Sequence, residues 1–148
     1  MVMVASEAYR LADPLDVERL AEPGAYGKPG SLRVYGRSKL LNILFARELA
    51  RRMEGSGVVV NAMCPGPVAT ELLREQWGLG RLGTVMSHTP VVRTPEQGAR
   101  QALRLAVDEE FEAKSGGFYG SVPGSGPSRD ERLARDVWDR SAHLVGLR

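Results

Sequence analysis

Tyr35 and Lys39 stand four residues apart at the front of a long apolar-periodic stretch, "VYGRSKLLNILFARELARRM", with Ser38 directly before the lysine and no acidic residue until Glu48. In a helix that spacing stacks the two side chains one turn apart, roughly 6 Å between their roots. A phenol, whose pKa is ordinarily about 10, has its phenolate favoured by a neighbouring ammonium. Drawn toward neutrality, such a phenol exchanges a proton with an alcohol or carbonyl oxygen. A carboxylate in the same place would act in the opposite direction. Ser6, closing the β-branched run "VMVAS", adds a hydroxyl suited to holding a substrate oxygen by a hydrogen bond. Each residue also has a plainer role: Tyr-x-x-x-Lys arises by chance on many helices, and a serine at a strand end ordinarily caps a turn.

The elements that must position these groups follow from the pattern around them. "VMV" and "VVVNAM" are short β-branched runs suited to buried parallel strands, and the helix between them makes a βαβ crossover. Strands are predicted over residues 2–4, 58–62 and 117–119, and helices over 33–54, 95–107 and 129–144, in a three-stranded parallel sheet with right-handed crossovers. Leu40, Leu41, Ile43, Leu44, Phe45, Ala46 and Leu49 cover more than one face of the first helix, which implies burial on several sides. Residues 7–31 are broken by prolines and glycines and read as a long connection with one helical turn in "PLDVERLAE". Thr94, Pro95 and Gln97 form a capping-box opening for the second helix. "CPGPVATELL" places a forced loop at the carboxyl end of the second strand, where open α/β sheets take their ligands.

Composition narrows the function classes. A chain of 148 residues, 43% hydrophobic and 26% charged, has the make-up of one soluble globular domain. Its net charge of +2 is spread along the chain and gives no support for a nucleic-acid surface. A single cysteine, Cys64, excludes an internal disulfide and a cysteine-based zinc site and fits a reducing compartment, so a cytoplasmic location is expected. Cys64 itself reads as a small buried residue. His88 and His143 lack acidic companions at ligand spacing, so no metal site is expected. No apolar run reaches the ~18 residues that span a bilayer, and "MVMVASEAYR" does not read as a signal peptide. "GSVPGSG" lacks the Gly-Lys-Ser/Thr ending of a phosphate loop and reads as a flexible connection.

The order of these motifs resembles the short-chain dehydrogenases/reductases. "VMVAS" is similar to that family's strand ending in the active-site serine, "YGRSK" to its Tyr-x-x-x-Lys motif, and "NAMCPGPVATEL" to its Pro-Gly motif followed by Val and Thr. The likeness is strongest to the retinol-dehydrogenase-like branch, through "YGRSKLLNILFARELARR", "PGPVATEL", "TPEQGA", "SGGFYG" and "VWDRSAHLVGL", and it extends over essentially the whole chain. The resemblance implies the carboxyl-terminal half of a doubly wound, Rossmann-type parallel sheet, an α/β fold, with residues 1–148 forming part of a single NAD(P)-binding domain. It implies Tyr35 as the acid/base and Lys39 as the group that lowers its pKa and binds the nicotinamide ribose, with Ser6 placing the substrate oxygen. The resemblance also implies that Pro65, Gly66 and Val68 line the nicotinamide, with Val68 backbone groups reaching its carboxamide and Thr70 close to the carboxamide or the pyrophosphate.

The family's pyrophosphate-binding glycine turn, its Asn-Asn-Ala-Gly segment and the asparagine of its proton relay belong before the point at which this chain starts. The serine motif departs too, reading Ala5-Ser6 where the family usually has two serines, with Met3 where asparagine is common. The expected activity is hydride transfer between NAD(P)(H), with NADP favoured, and a small-molecule alcohol or carbonyl, from a truncated chain inactive by itself. The alternative is a non-catalytic remnant acting as an association module. In either case an uncovered sheet edge and apolar helix faces lead to the expectation of self-association.

Overall fold

The opening apolar run does form a strand, β1 (Val2–Val4), and it is followed at once by a 3-10 segment, Glu7–Leu11. The long helix α1 (Lys28–Arg52) leads to β2 (Asn61–Met63), α2 (Pro95–Val107) and a 3-10 turn at Glu109–Phe111. Strand β3 (Phe118–Tyr119), a 3-10 turn at Gly126–Arg129 and α3 (Glu131–Leu144) complete the order. The structure, a computed structural model, describes residues 1–24, 27–68, 93–121 and 126–147.

The three strands form one parallel sheet in the order β1-β2-β3, with Val2 opposite Asn61, Val4 opposite Met63 and Met63 opposite Tyr119. Alternation of side chains across the pleat gives each face its own core. On one face Ala5, Ala62 and Phe118 meet Leu40, Ile43 and Leu44 of α1 and Val137 of α3. On the other, Met63, Val2 and Tyr119 meet Leu105 of α2 and Phe111. Helices therefore cover both faces, as in a doubly wound sheet. As the width of its apolar surface predicts, α1 is buried on several sides, with Leu40, Ile43, Leu44, Ala46 and Ala50 all nearly inaccessible.

Several boundaries differ from the sequence expectation, each for a local reason. β2 is confined to Asn61–Met63 and omits residues 58–60, because the ladder runs only where β1 lies alongside. Ahead of it, Val60 N–H donates to Ser115 Oγ at 3.0 Å in place of a second strand. Asn61, fully buried, takes over the join to β3: its Nδ2 donates to Lys114 O at 2.6 Å and its Oδ1 accepts from Gly117 N at 2.9 Å. Gly117 is thus held by a side chain and β3 begins one residue later.

Helix α1 starts at Lys28 rather than at residue 33, since a proline in its first turn needs no hydrogen-bond acceptor for a missing N–H. It stops at Arg52, before Gly55 and Gly57, both at positive φ. α3 begins at Glu131 rather than 129 because Asp130 caps it, accepting from Leu133 N at 2.9 Å. Within "PLDVERLAE" the expected helical turn is reduced to a hydrogen-bonded turn, with Asp16 Oδ1 accepting from Glu18 N at 3.1 Å and Glu22 N–H donating to Arg19 O at 3.1 Å, and an additional 3-10 segment stands earlier, at Glu7–Leu11, capped by Ser6. The later stretch is fastened to α1 by Arg37, which donates to the carbonyls of Arg19 and Leu20 at 2.9 and 2.6 Å. The α2 capping box is present as predicted.

Candidate active site

The carboxyl ends of β1 and β2 and the front of α1 converge on one edge of the sheet. Ala5 N–H closes the ladder onto Met63 O at 2.7 Å, which leaves Ser6 just past the strand end in extended conformation. Its Oγ accepts from Ala8 N at 3.2 Å and so caps the 3-10 segment. The capping role and the catalytic one are compatible, because a hydroxyl that accepts one bond still has its own hydrogen to donate.

Close packing brings the tyrosine helix onto this segment. Gly36, next to Tyr35, is buried, and a Cβ there would collide with Ala8 O and lie 3.1 Å from Ala12 N. Only glycine lets α1 lean this far onto the backbone that follows Ser6. Tyr35 and Lys39 lie on one helix face as their spacing requires, with Lys39 Nζ 5.4 Å from the Tyr35 ring centroid. Lys39 Nζ also donates to Val4 O at 3.4 Å, and Asn42, a turn further along, donates to the same carbonyl at 3.2 Å. No carboxylate pairs with Lys39 among the described residues. Ser38 Oγ is turned back to Tyr35 O at 2.7 Å, which occupies it with the helix backbone.

Cys64 joins the serine strand to the Pro-Gly loop. Its buried thiol sulfur accepts from Glu7 N at 3.3 Å and from Gly66 N at 3.4 Å, so the residues after Ser6 and after Pro65 are tied to one atom. Gly66 sits at φ +78°. Val68 forms a parallel bridge with Arg93, whose N–H donates to Pro67 O at 2.8 Å and whose Nη1 donates to Pro65 O at 3.0 Å. Ser6, Tyr35, Lys39, Pro65, Gly66 and Val68 are therefore gathered along one edge, whereas Thr70 lies outside the described residues.

Asn42, Cys64 and Arg93 are the members of this edge that sequence reasoning missed or underrated. Asn42 had a signal in its helical spacing, three residues beyond Lys39 and seven beyond Tyr35; Arg93 had none, since its partners lie far away in sequence. Open clefts of about 510 Å³ and 530 Å³ lie beside the Asp13–Arg37 region and beside Arg47 and Val58, and neither is lined by Ser6, Tyr35 or Lys39.

Residues 120–126 repeat by letter the G-x-x-x-G-x-G spacing of a dinucleotide turn. The helix after them opens on Asp130 and Glu131, whose charges oppose a diphosphate at that N-terminus, and residues 122–125 lie outside the described set.

Comparison with known proteins agrees with this arrangement. The sequence profile of the family described as enoyl-(acyl carrier protein) reductase, a short-chain dehydrogenase/reductase domain, matches residues 24–112. The chain belongs to the short-chain dehydrogenase/reductase family, in its retinol-dehydrogenase-like branch. It is 40% identical to dehydrogenase/reductase SDR family member 13 of Bos taurus, over 99% of this chain and 40% of that protein. It is 35% identical to human retinol dehydrogenase 14 over 99% of the chain and 44% of the relative, and 41% identical to human retinol dehydrogenase 13 over 76% and 36%.

This short-chain dehydrogenase/reductase chain thus spans less than half the length of the curated relatives it matches. A crystal structure of an uncharacterised protein from Mycobacterium paratuberculosis shares its fold, with a TM-score of 0.66 at 24% identity, over 98% of this chain and 49% of the other. The α/β class with a partial parallel Rossmann-type sheet is confirmed. Among the described residues no helix is long and apolar enough to cross a membrane.

Proposed function

We propose that this chain carries the proton-transfer half of an NAD(P)(H)-dependent oxidoreductase acting on a small-molecule alcohol or carbonyl, and that residues 1–148 form the carboxyl-terminal part of one Rossmann domain. The observation that carries the proposal is the Tyr35–Lys39 pair, a phenol beside an ammonium that no carboxylate among the described residues neutralises, on the edge that also holds Ser6.

The residues present fit a nicotinamide nucleotide. Val68 N–H and C=O have no partner among the described residues and match the acceptor and donor of a carboxamide, while Lys39 has donors to spare for ribose hydroxyls. The cofactor, when bound, supplies the hydride acceptor or donor. Tyr35 gives or takes the proton at the substrate oxygen through its hydroxyl. Lys39 places its positive charge 5.4 Å from the centroid of the phenol ring, and Ser6 Oγ–H holds the same oxygen in place. NADP is proposed over NAD.

The association-module alternative has one observation in its favour: Leu103 and Val107 on α2 are 61% and 75% exposed, an apolar pair on which copies of the chain would associate. Sedimentation of the isolated chain as a monomer would remove that support.

The deciding experiment joins this chain to the amino-terminal portion of a relative and follows nicotinamide absorbance with simple alcohols and aldehydes. Tyr35→Phe, which keeps the ring, is expected to lower turnover at least about 100-fold with cofactor binding unchanged. Retention of more than about a tenth of the activity, a loss under ~1.4 kcal/mol of transition-state stabilisation, overturns the catalytic assignment.

A further inference from the structure

The Pro-Gly loop is a short piece of backbone that must be rigid to be useful. A carboxamide can be held by the N–H and C=O of one residue only if the backbone on both sides of that residue is fixed before the ligand arrives, since any freedom left in it is lost on binding. Residues 65–68 have two prolines and no regular secondary structure of their own. What fixes them comes from elsewhere in the chain, and most of it comes from one residue.

Arg93 holds the loop at three points. Its backbone N–H donates to Pro67 O at 2.8 Å and its guanidinium Nη1 donates to Pro65 O at 3.0 Å. The same guanidinium lies against Gly66, where a Cβ would come within 3.2 Å of Cζ and Nη1. Gly66 is favoured by its φ of +78°, and a side chain there would displace the Arg93 guanidinium by a few tenths of an ångström. Arg93 is itself anchored, because the next residue, Thr94, is the N-cap of α2 within a complete capping box. α2 adds a further hold, since Gly98 is buried and a Cβ there would lie 2.7 Å from Val68 Cγ2.

The register of the Val68–Arg93 bridge decides what remains for a ligand. In a parallel bridge the hydrogen bonds to Arg93 come from the neighbours of Val68 and not from Val68 itself, as the Arg93 N–H to Pro67 O bond shows. The N–H and C=O of Val68 are consequently turned away from Arg93, without a partner among the described residues. We propose that Arg93 is the positioning residue of the nicotinamide subsite: it ties down the Pro65 and Pro67 carbonyls so that the Val68 peptide is presented, preformed, to a carboxamide. This rests on the proton-transfer assignment above. Arg93 acts through Val68 and makes no contact with the reacting atoms.

Two measurements test it. In the 148-residue chain itself, residue-resolved amide exchange at Gly66 is expected to quicken at least about tenfold in Arg93→Ala and less in Arg93→Lys, with α1 amides near Leu44 unchanged. Unchanged exchange at Gly66, or a general rise that includes α1, overturns the proposal whatever the fate of Tyr35.

In the joined enzyme, Arg93→Ala is expected to raise the cofactor KM about tenfold and leave kcat within twofold. That penalty, measured with NADP, should shrink to under threefold with 3-acetylpyridine adenine dinucleotide phosphate, whose acetyl group lacks the carboxamide N–H. An equal penalty with both cofactors, or a fall in kcat at unchanged cofactor KM, also overturns it. Tyr35→Phe moves kcat alone, so failure of the catalytic assignment is seen separately.

Discussion

The middle of α1 and its carboxyl end treat their cations in opposite ways. At the carboxyl end Glu48 is 1% exposed and accepts from Arg51 Nε and Nη2, at 2.9 and 2.7 Å, and from Arg52 Nε at 2.7 Å. Arg52 reaches on to Asp139 at 3.4 Å and lies 4.7 Å over the Trp138 ring, which stacks on Phe45. Those charges are satisfied, and what they do is fasten α1 to α3. In the middle of the helix Lys39 faces, among the described residues, a phenol ring and a backbone carbonyl. A cation surrounded by neutral acceptors keeps its charge for a ligand, and one locked to a buried carboxylate does not. Composition does not separate the two stretches; partners do.

The contrast is broken most directly by exchanging the fates of the two cations. Lys39→Ala in the joined enzyme is expected to lower kcat/KM by at least about 100-fold, through both a lower kcat and a higher cofactor KM, because the charge beside the phenol and the ribose contact go together. Arg52→Ala is expected to leave both constants within about twofold while lowering the urea midpoint. If the two variants have the same kinetic profile, the functional division of α1 does not exist.

Glu48→Ala is expected to cost roughly 1 to 3 kcal/mol by urea unfolding, less than breaking a wholly enclosed pair, because both arginines reach solvent. Its pH dependence has a definite sign. The Arg51 hydrogen bond holds the Glu48 carboxyl below its usual range; burial opposes this and Arg52 adds to it. A group whose folded pKa is depressed contributes stability that is fully present above its unfolded value of about 4.3 and is lost as pH falls through the folded value. Stability should therefore decline below about pH 4, and Glu48→Gln should flatten that limb. An unaltered acid limb in Glu48→Gln would assign the decline to other carboxylates.

The smallest effect belongs to Ser38→Ala. Its hydroxyl is engaged with Tyr35 O and is not aimed at a ligand, so turnover should stay within about threefold and stability within about 0.5 kcal/mol. A loss approaching that of Ser6→Ala, expected at 10²- to 10³-fold for one substrate-oxygen hydrogen bond, would reassign the serine role.

The sequence by itself determined the parts governed by local rules. Periodicity placed α1 and α2, a capping box fixed the start of α2 at Thr94, β-branched runs marked two strands, and helical spacing put Tyr35 over Lys39. It also marked the loop after β2 as the ligand edge, because two prolines and a glycine cannot continue a strand. Tertiary structure decided whatever depends on partners distant along the chain. β2 moved from residues 58–62 to Asn61–Met63 because a parallel ladder exists only where its neighbour runs alongside. Cys64 became the joint between Glu7 and Gly66, and Arg93 the clamp on Pro65 and Pro67, through contacts across 57 and 28 residues. Propensity and pattern extend over a few residues. Hydrogen bonds that close such distances are fixed only when the whole sheet assembles, which is why the candidate residues were legible in the sequence and the contacts that hold them in place were not.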